Sequence, residues 1–392
     1  MKSRLFILSM SALLIVPLLA GCGSDKSESA LLRLLRFVPD APEYREWLTF
    51  GDADAWHSSW NIPRIDNWDE LDNLDREPRA HWMFILSSQT APPDSLGIQY
   101  MRIDDQRGFY GFDLFNLDRY LLAGSPPGWI TVVEFSFDKA QIADALTASG
   151  YEAEKLETGG TLYSILDDNE YALEFPTKTG QLGNLNRVAL LDGQMVIAKA
   201  TANVTNALLA HSGESSSLAD NLNYVAAAKA LEDPALKETG ELVGVIFTEG
   251  PVLADPSLYL LPGASEQVQD QLTGYAEGPQ LPIYTLVAFA TRHTEGASYL
   301  ILAVVFPEGA DAAAAADILA DRLQNYTSPY YDRPLDERWA FEKATGVKAE
   351  GLPVALVVMR VDDPPPIPED APLVNAAVLS WYELVTRRDT LF

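Results

Sequence analysis

The sequence predicts an α+β protein with mostly antiparallel sheets, built as two β-α-β-containing halves and closed by a C-terminal helix. Short apolar or alternating runs of strand length recur along the chain, separated by Gly, Pro and Asp. The order strand, helix, strand occurs over 129–166 and again over 299–361, which suggests an internal duplication. The 392 residues are 47% hydrophobic and 10% aromatic, ample material for a large core. At about 150 residues per domain, that length suggests two bodies or one pseudo-repeated body.

The chain opens with Lys2 and Arg4, an apolar run from Leu5 to Ala20, and the small-residue sequence Leu19-Ala20-Gly21-Cys22. This is a charged n-region, an apolar h-region and a cleavage site. The run is shorter than the roughly 20 apolar residues of a spanning helix. It resembles the lipobox of bacterial lipoproteins, and that resemblance implies cleavage before Cys22 and acylation of its thiol, with palmitate among the chains expected there. Residues 1–21 are then the signal peptide, and the polar segment 22–30 is a tether. Seven residues after Cys22 reach at most about 25 Å, so the body is expected close to the membrane surface. Gly23 after the cysteine resembles the outer-membrane sorting pattern of a Gram-negative cell; in a cell with one membrane the anchor is the cell membrane.

Leu31, Leu32, Leu34 and Leu35, with Arg33 and Arg36 between them, have the spacing of a short amphipathic helix docked on the body, and Pro39 closes it. Tyr44 to Phe50 reads as a strand, Asp52 to Ser59 as a helical turn, and Trp68 to Leu74 as helix. Five of the eight tryptophans lie in or just after this region (Trp47, Trp56, Trp60, Trp68, Trp82) and are expected to fill core. The runs 82–86, 98–103 and 109–112 read as strands, and Leu117 to Leu122 as a short helix. A breaker cluster, Gly124-Ser125-Pro126-Pro127-Gly128, follows.

The first β-α-β comprises a strand from Trp129 to Phe137, a helix from Lys139 to Ser149 with Asp138 as N-cap and Gly150 as C-cap, and a strand from Thr161 to Leu166. Asp192-Gly193 between apolar runs is a strong hairpin signal. Helices are expected over 202–210, 218–231 and 265–275, and a strand over 242–247. The second β-α-β has strands at 284–291, 299–306 and 354–361 around an alanine-rich helix, 311–325. The halves are expected at 31–185 and 186–362. Residues 363–392 are a proline-rich linker and a terminal helix whose Trp381 should be buried.

The order Leu35-Arg36-Phe37-Val38-Pro39-Asp40-Ala41-Pro42, the β-α-β around Phe137-Asp138, and the Asp192-Gly193 hairpin resemble a loose group of uncharacterised secreted or lipid-anchored bacterial proteins. No activity is attached to that group, so the resemblance assigns no catalytic residue.

The chain carries 56 acidic against 28 basic residues, and its formal charge of −28 falls to −30 when Lys2 and Arg4 leave with the signal. Such a field repels phosphate backbones and anionic lipid, so nucleic acid is excluded as a partner, and membrane contact is expected through the lipid alone. No nucleophile elbow, phosphate loop, dinucleotide fingerprint or zinc-protease helix occurs. The histidines, His57, His81, His211 and His293, are scattered. Asp66, Asp69, Asp72 and Asp75 lack the glycine turn and terminal glutamate of a calcium loop. His211 beside Ser212 suits a polar interhelix loop. Asp104-Asp105 and Asp167-Asp168 suit turns at strand ends. No catalytic, cofactor or metal residue is assigned, and Cys22 is the one site residue. Two function classes follow: a non-enzymatic surface lipoprotein that binds or assembles a protein or small solute, and an envelope hydrolase using scattered carboxylates.

Overall fold

The computed structural model describes residues 28–87, 103–113, 115, 117–136, 138–170, 183–250, 253, 266–328, 333–362, 381–386, 389–390 and 392. Cys22, the signal segment, the run 98–102 and the proline linker lie outside the described residues. The first helix is set by its cap: the Ser29 hydroxyl accepts a hydrogen bond from the Leu32 amide at 3.3 Å and starts α1 (Ala30–Leu35). Its four leucines are buried against the sheet. Each contributes about 2 kcal/mol when fully covered. The docking expected from their spacing is therefore present.

Among the described residues, twelve strands form one antiparallel sheet. In chain order they are β1 (Leu48–Asp52), β2 (Leu117–Ala123), β3 (Ile130–Phe135), β4 (Glu152–Lys155), β5 (Thr161–Ser164), β6 (Arg187–Leu190), β7 (Gln194–Ala198), β8 (Glu241–Thr248), β9 (Leu286–Thr294), β10 (Ala297–Val305), β13 (Ala340–Ala349) and β14 (Leu352–Asp362). The short pair β11 (Thr327–Ser328) and β12 (Arg333–Pro334) stands apart. Across the sheet the order is 13-14-10-9-8-1-2-3-7-6-5-4.

Both halves follow one plan. A three-stranded meander, β1-β2-β3 or β8-β9-β10, leads into a helix, α7 (Lys139–Ala148) or α11 (Ala312–Gln324). The chain then returns so that its last strand, β7 or β14, pairs with the third strand of its own meander. The first half inserts β4 and β5 before that final pair. The halves meet where β1 pairs with β8, from Leu48↔Phe247 to Gly51↔Gly244. The next strand of the sheet after each helix, β4 or β13, runs parallel to β3 or β10 and is kept apart from it by antiparallel strands, whereas the strands expected to close the two β-α-β units, β5 and β14, run antiparallel to β3 and β10. Residues 185 and 186 fall between β5 and β6, which pair with each other. The chain passes from one half to the other between β7 and β8.

Both faces of the sheet are covered. On one lie α1, α8 (Thr201–Ser212) and α9 (Leu222–Ala230). The other carries two clusters. Beneath the first half are α3 (Ala53–Trp60), α4 (Trp68–Asn73), α5 (Arg76–Ser87), α6 (Ile103–Tyr110) and α7. Beneath the second half are α11 and α12 (Trp381–Thr386). The remaining helices are α2 (Pro42–Arg45) and α10 (Glu266–Glu277). Along β10, Ile301, Ala303 and Val305 serve one cluster while Leu300, Leu302 and Val304 serve another.

Several expectations are corrected. Trp82 to Leu86 lies in α5, and Phe109-Tyr110 with Asp104-Asp105 lies in α6; in each a short apolar run mimics a strand. Leu117 to Leu122 is β2 rather than a helix, since a strand buried on both faces shows no alternation. Tyr44 belongs to α2, before β1 starts at Leu48. Strand β4, fully exposed, and strand β13, partly so, carry too little apolar signal to be read from the sequence. Asp138 caps α7 as expected, and the Asp192-Gly193 turn joins β6 to β7.

Candidate functional site

Strand register assembles a charged ladder that no local motif announces. At the end of β1, Asp52 stands opposite Arg119 on β2, Arg119 opposite Glu134 on β3, and Glu134 opposite Gln194 on β7. Arg119 is the hub: its Nε lies 2.7 Å from Asp52 Oδ2, Nη2 3.1 Å from Asp54 Oδ2, and Nη1 3.4 Å from Glu134 Oε2. Glu134 also accepts from Arg33 of α1 at 3.1 Å and from Gln194 at 3.2 Å. Arg64 pairs with Asp54 and lies 3.1 Å from Asp118.

Asp52 has two tasks. Its Oδ1 accepts the Ala55 amide at 2.9 Å and caps α3, while Oδ2 holds Arg119. Burial pushes the Asp52 carboxyl above its ordinary range, and Arg119 works against that rise. The carboxylates here face guanidinium groups, so their geometry suits charge-assisted locking of four strands and α1 in one register.

The other end of β1, beside the end of β8, is held in a similar way. Arg45 pairs with Asp40 and lies 3.9 Å from Glu249, which follows β8. Asn221 donates to Asp40 at 3.1 Å, tying in the start of α9. Burial raises both Glu249 and the neighbouring Tyr224 hydroxyl.

Three of the four scattered histidines converge beneath the sheet. Trp60 stacks on His81 with centroids 4.5 Å apart, Trp56 and Trp60 lie 4.8 and 4.6 Å from His293, and His57 lies 4.3 Å from Trp82. His293 is on β9 and the tryptophans are on α3 and α5, so the cluster links the two halves. Ser59 Oγ lies 2.8 Å from His293 Nδ1. The same hydroxyl lies 3.1 Å from the Trp56 carbonyl, to which it can donate. Burial pushes His57 down to about 4, so it is neutral at physiological pH. The tryptophans expected to fill core do so here, with Trp56 and Trp82 buried.

The other residues singled out in the sequence serve the scaffold. His211 stacks on Phe37 at 3.8 Å, and Ser212 donates to the Leu209 carbonyl, so the two do not form a catalytic pair. Asp72 pairs with Arg79 at 2.6 Å, and Asp168 accepts the Thr201 amide at the start of α8. Among the described residues, no group of three or more His, Cys, Asp and Glu is placed to hold a metal ion. No helix of the described residues is long and apolar enough to cross a membrane. The ladder was illegible in the sequence because its members are joined only by register; the one available signal was an unlike charge near the ends of successive strands.

No protein-family model matches the chain, and no curated protein sequence matches it. Solved structures similar to it include two crystal forms of TP0453. Form I matches at 8% identity and TM-score 0.34, over 86% of this chain and 94% of that one. Form IV matches at 9% identity and TM-score 0.31, over 84% and 92%.

Proposed function

We propose that this is a cell-envelope lipoprotein, anchored by acylated Cys22, whose body serves as a non-enzymatic binding or assembly module for a protein or small solute. The observation that carries the anchor is the sequence Leu19-Ala20-Gly21-Cys22 after a short apolar run. The body's first helix supports it: α1 is docked by four buried leucines from Ala30 onward, so a short polar tether joins Cys22 to a rigid platform. The binding reading draws support from the ladder, where carboxylates that an acid–base enzyme would keep for substrate are engaged with Arg33, Arg64 and Arg119. Radiolabelled palmitate should enter the full chain and leave it in the Cys22→Ala variant, which should accumulate as unprocessed precursor. Normal processing and membrane fractionation of that variant would end the anchor reading.

A further inference from the structure

The two faces of the sheet are filled differently. One apolar cluster runs unbroken over the face that carries α1, α8 and α9, whereas the other face carries two, one beneath each half. The break between these two lies along a single row of side chains. Ile246 on β8 belongs to the second-half cluster and Ile197 on β7 to the first-half cluster. Between them, register sets Thr49 on β1, Leu122 on β2 and Thr131 on β3, at 5%, 8% and 1% exposure. Their chain neighbours Leu48, Leu121 and Ile130 serve the unbroken cluster, so alternation turns these three to the other face. Leu122, though buried, belongs to neither cluster there, and threonines stand on both sides of it.

Lys199 and Trp129 border this break. They stand one residue beyond the pair Ile130↔Ala198, on the face of Thr131 and Ile197. Lys199 is 8% exposed, and its ammonium lies 5.9 Å from the centre of the Trp129 ring. Burial lowers its basicity, with no acid among the described residues acting against that shift. Lys139 and Lys229, by contrast, pair with Asp192 and Glu350. An unpaired ammonium under cover is costly, and it is unexpected in a chain with twice as many acids as bases. Two further polar atoms here are buried without a partner among the described residues, the indole nitrogen of half-buried Trp129 and the Thr49 hydroxyl. Buried polar groups are normally satisfied. A cation and an N–H donor side by side, with Leu122 about 8 Å away by strand spacing, are the complement of a small acid with an apolar body. The acidic field of the chain favours one negative charge over several.

We propose that Lys199 and Trp129 hold the carboxylate of a small monocarboxylic acid whose apolar body lies over Leu122, in the break between the two halves. The proposal rests on the reading of the body as a binding module and names the class of solute bound; it does not depend on Cys22.

Calorimetric titration of the detergent-solubilised full chain with hexanoate and phenylacetate, and with their uncharged amides, tests it against a blank of detergent alone. Both acids should bind saturably and at least about tenfold more tightly than the amides. Lys199→Met should bring acid binding down to the amide level without lowering the melting temperature, because it removes an unpaired buried charge. Lys199→Arg should keep part of the binding, and Lys139→Met, at the surface, should leave it unchanged. No saturable binding of either acid, equal affinity for acid and amide in the parent, or a Lys199→Met variant that binds acid as the parent does would each overturn the proposal. Conversion of the acid during the titration, followed by proton NMR, would instead overturn the binding-module reading and leave the site standing.

Discussion

Two side chains illustrate how register and burial decide what a residue does here. Arg119 satisfies three acids, and Glu134 and Asp52 are both largely covered. Arg119→Met should cost about 3 kcal/mol, read as a lower urea midpoint, because it strands partly buried carboxylates. Adding Glu134→Gln should recover part of that loss; if it does not, the ladder carries no coupling. His57 has the opposite character, a base kept neutral by burial, with its value pushed from 6.5 to about 4. Between those values the unfolded chain binds the proton that the folded chain refuses, so stability falls as pH drops through this window. The full effect is roughly 3 kcal/mol at 1.36 kcal/mol per pH unit. His57→Phe, which keeps a ring beside Trp82, should flatten the decline in melting temperature from pH 7 to pH 4 relative to the parent.

Elements with local punctuation were legible, and elements defined by their neighbours were not. Helix α7 carries its own start and stop in Asp138 and Gly150, and the β6–β7 hairpin carries Asp192-Gly193, so both could be read directly. Strand β2 misled because it is largely buried on both faces, and α5 because its apolar run 82–86 has the length of a strand. The His–Trp cluster was out of reach for another reason: His293 and Ser59 are separated by 234 residues and meet only because α3 packs under β9. The terminal helix was legible by composition, and Trp381 is fully buried against Phe289, Trp339 and Phe392. Beyond it, the buried Asp389 accepts from the Tyr326 hydroxyl at 2.6 Å and also holds Ser328, fixing the chain end. Trp381→Ala should therefore cost about 3–5 kcal/mol, as for other fully buried large side chains. Deleting residues 364–392 should lower the melting temperature at least as much and expose apolar surface to a hydrophobic dye; an unchanged melt would make the segment dispensable.

At the scale of the molecule, the question is whether two similar halves behave as two bodies or one. The β1–β8 ladder alone is short, from Leu48 to Gly51. It is reinforced at one end by Arg45, which pairs with Asp40 and lies 3.9 Å from Glu249 after β8. Helix α3 reaches across the seam to place Trp56 and Trp60 on His293, and the core cluster over the opposite face runs from Leu162 on β5 to Val354 on β14 without interruption. Cores continuous across a seam unfold together, because exposing one half strips apolar cover from the other. The full chain should therefore melt in one calorimetric transition whose van't Hoff and calorimetric enthalpies agree. Thr49→Pro, placed between Leu122 and Ile246 in the middle of the seam, removes a backbone donor from an interior strand and bends it. It should split that transition into two, with each half retaining its own meander, helix and returning strand. A parent that already melts in two steps would show that the seam couples the halves too weakly to make them one cooperative unit.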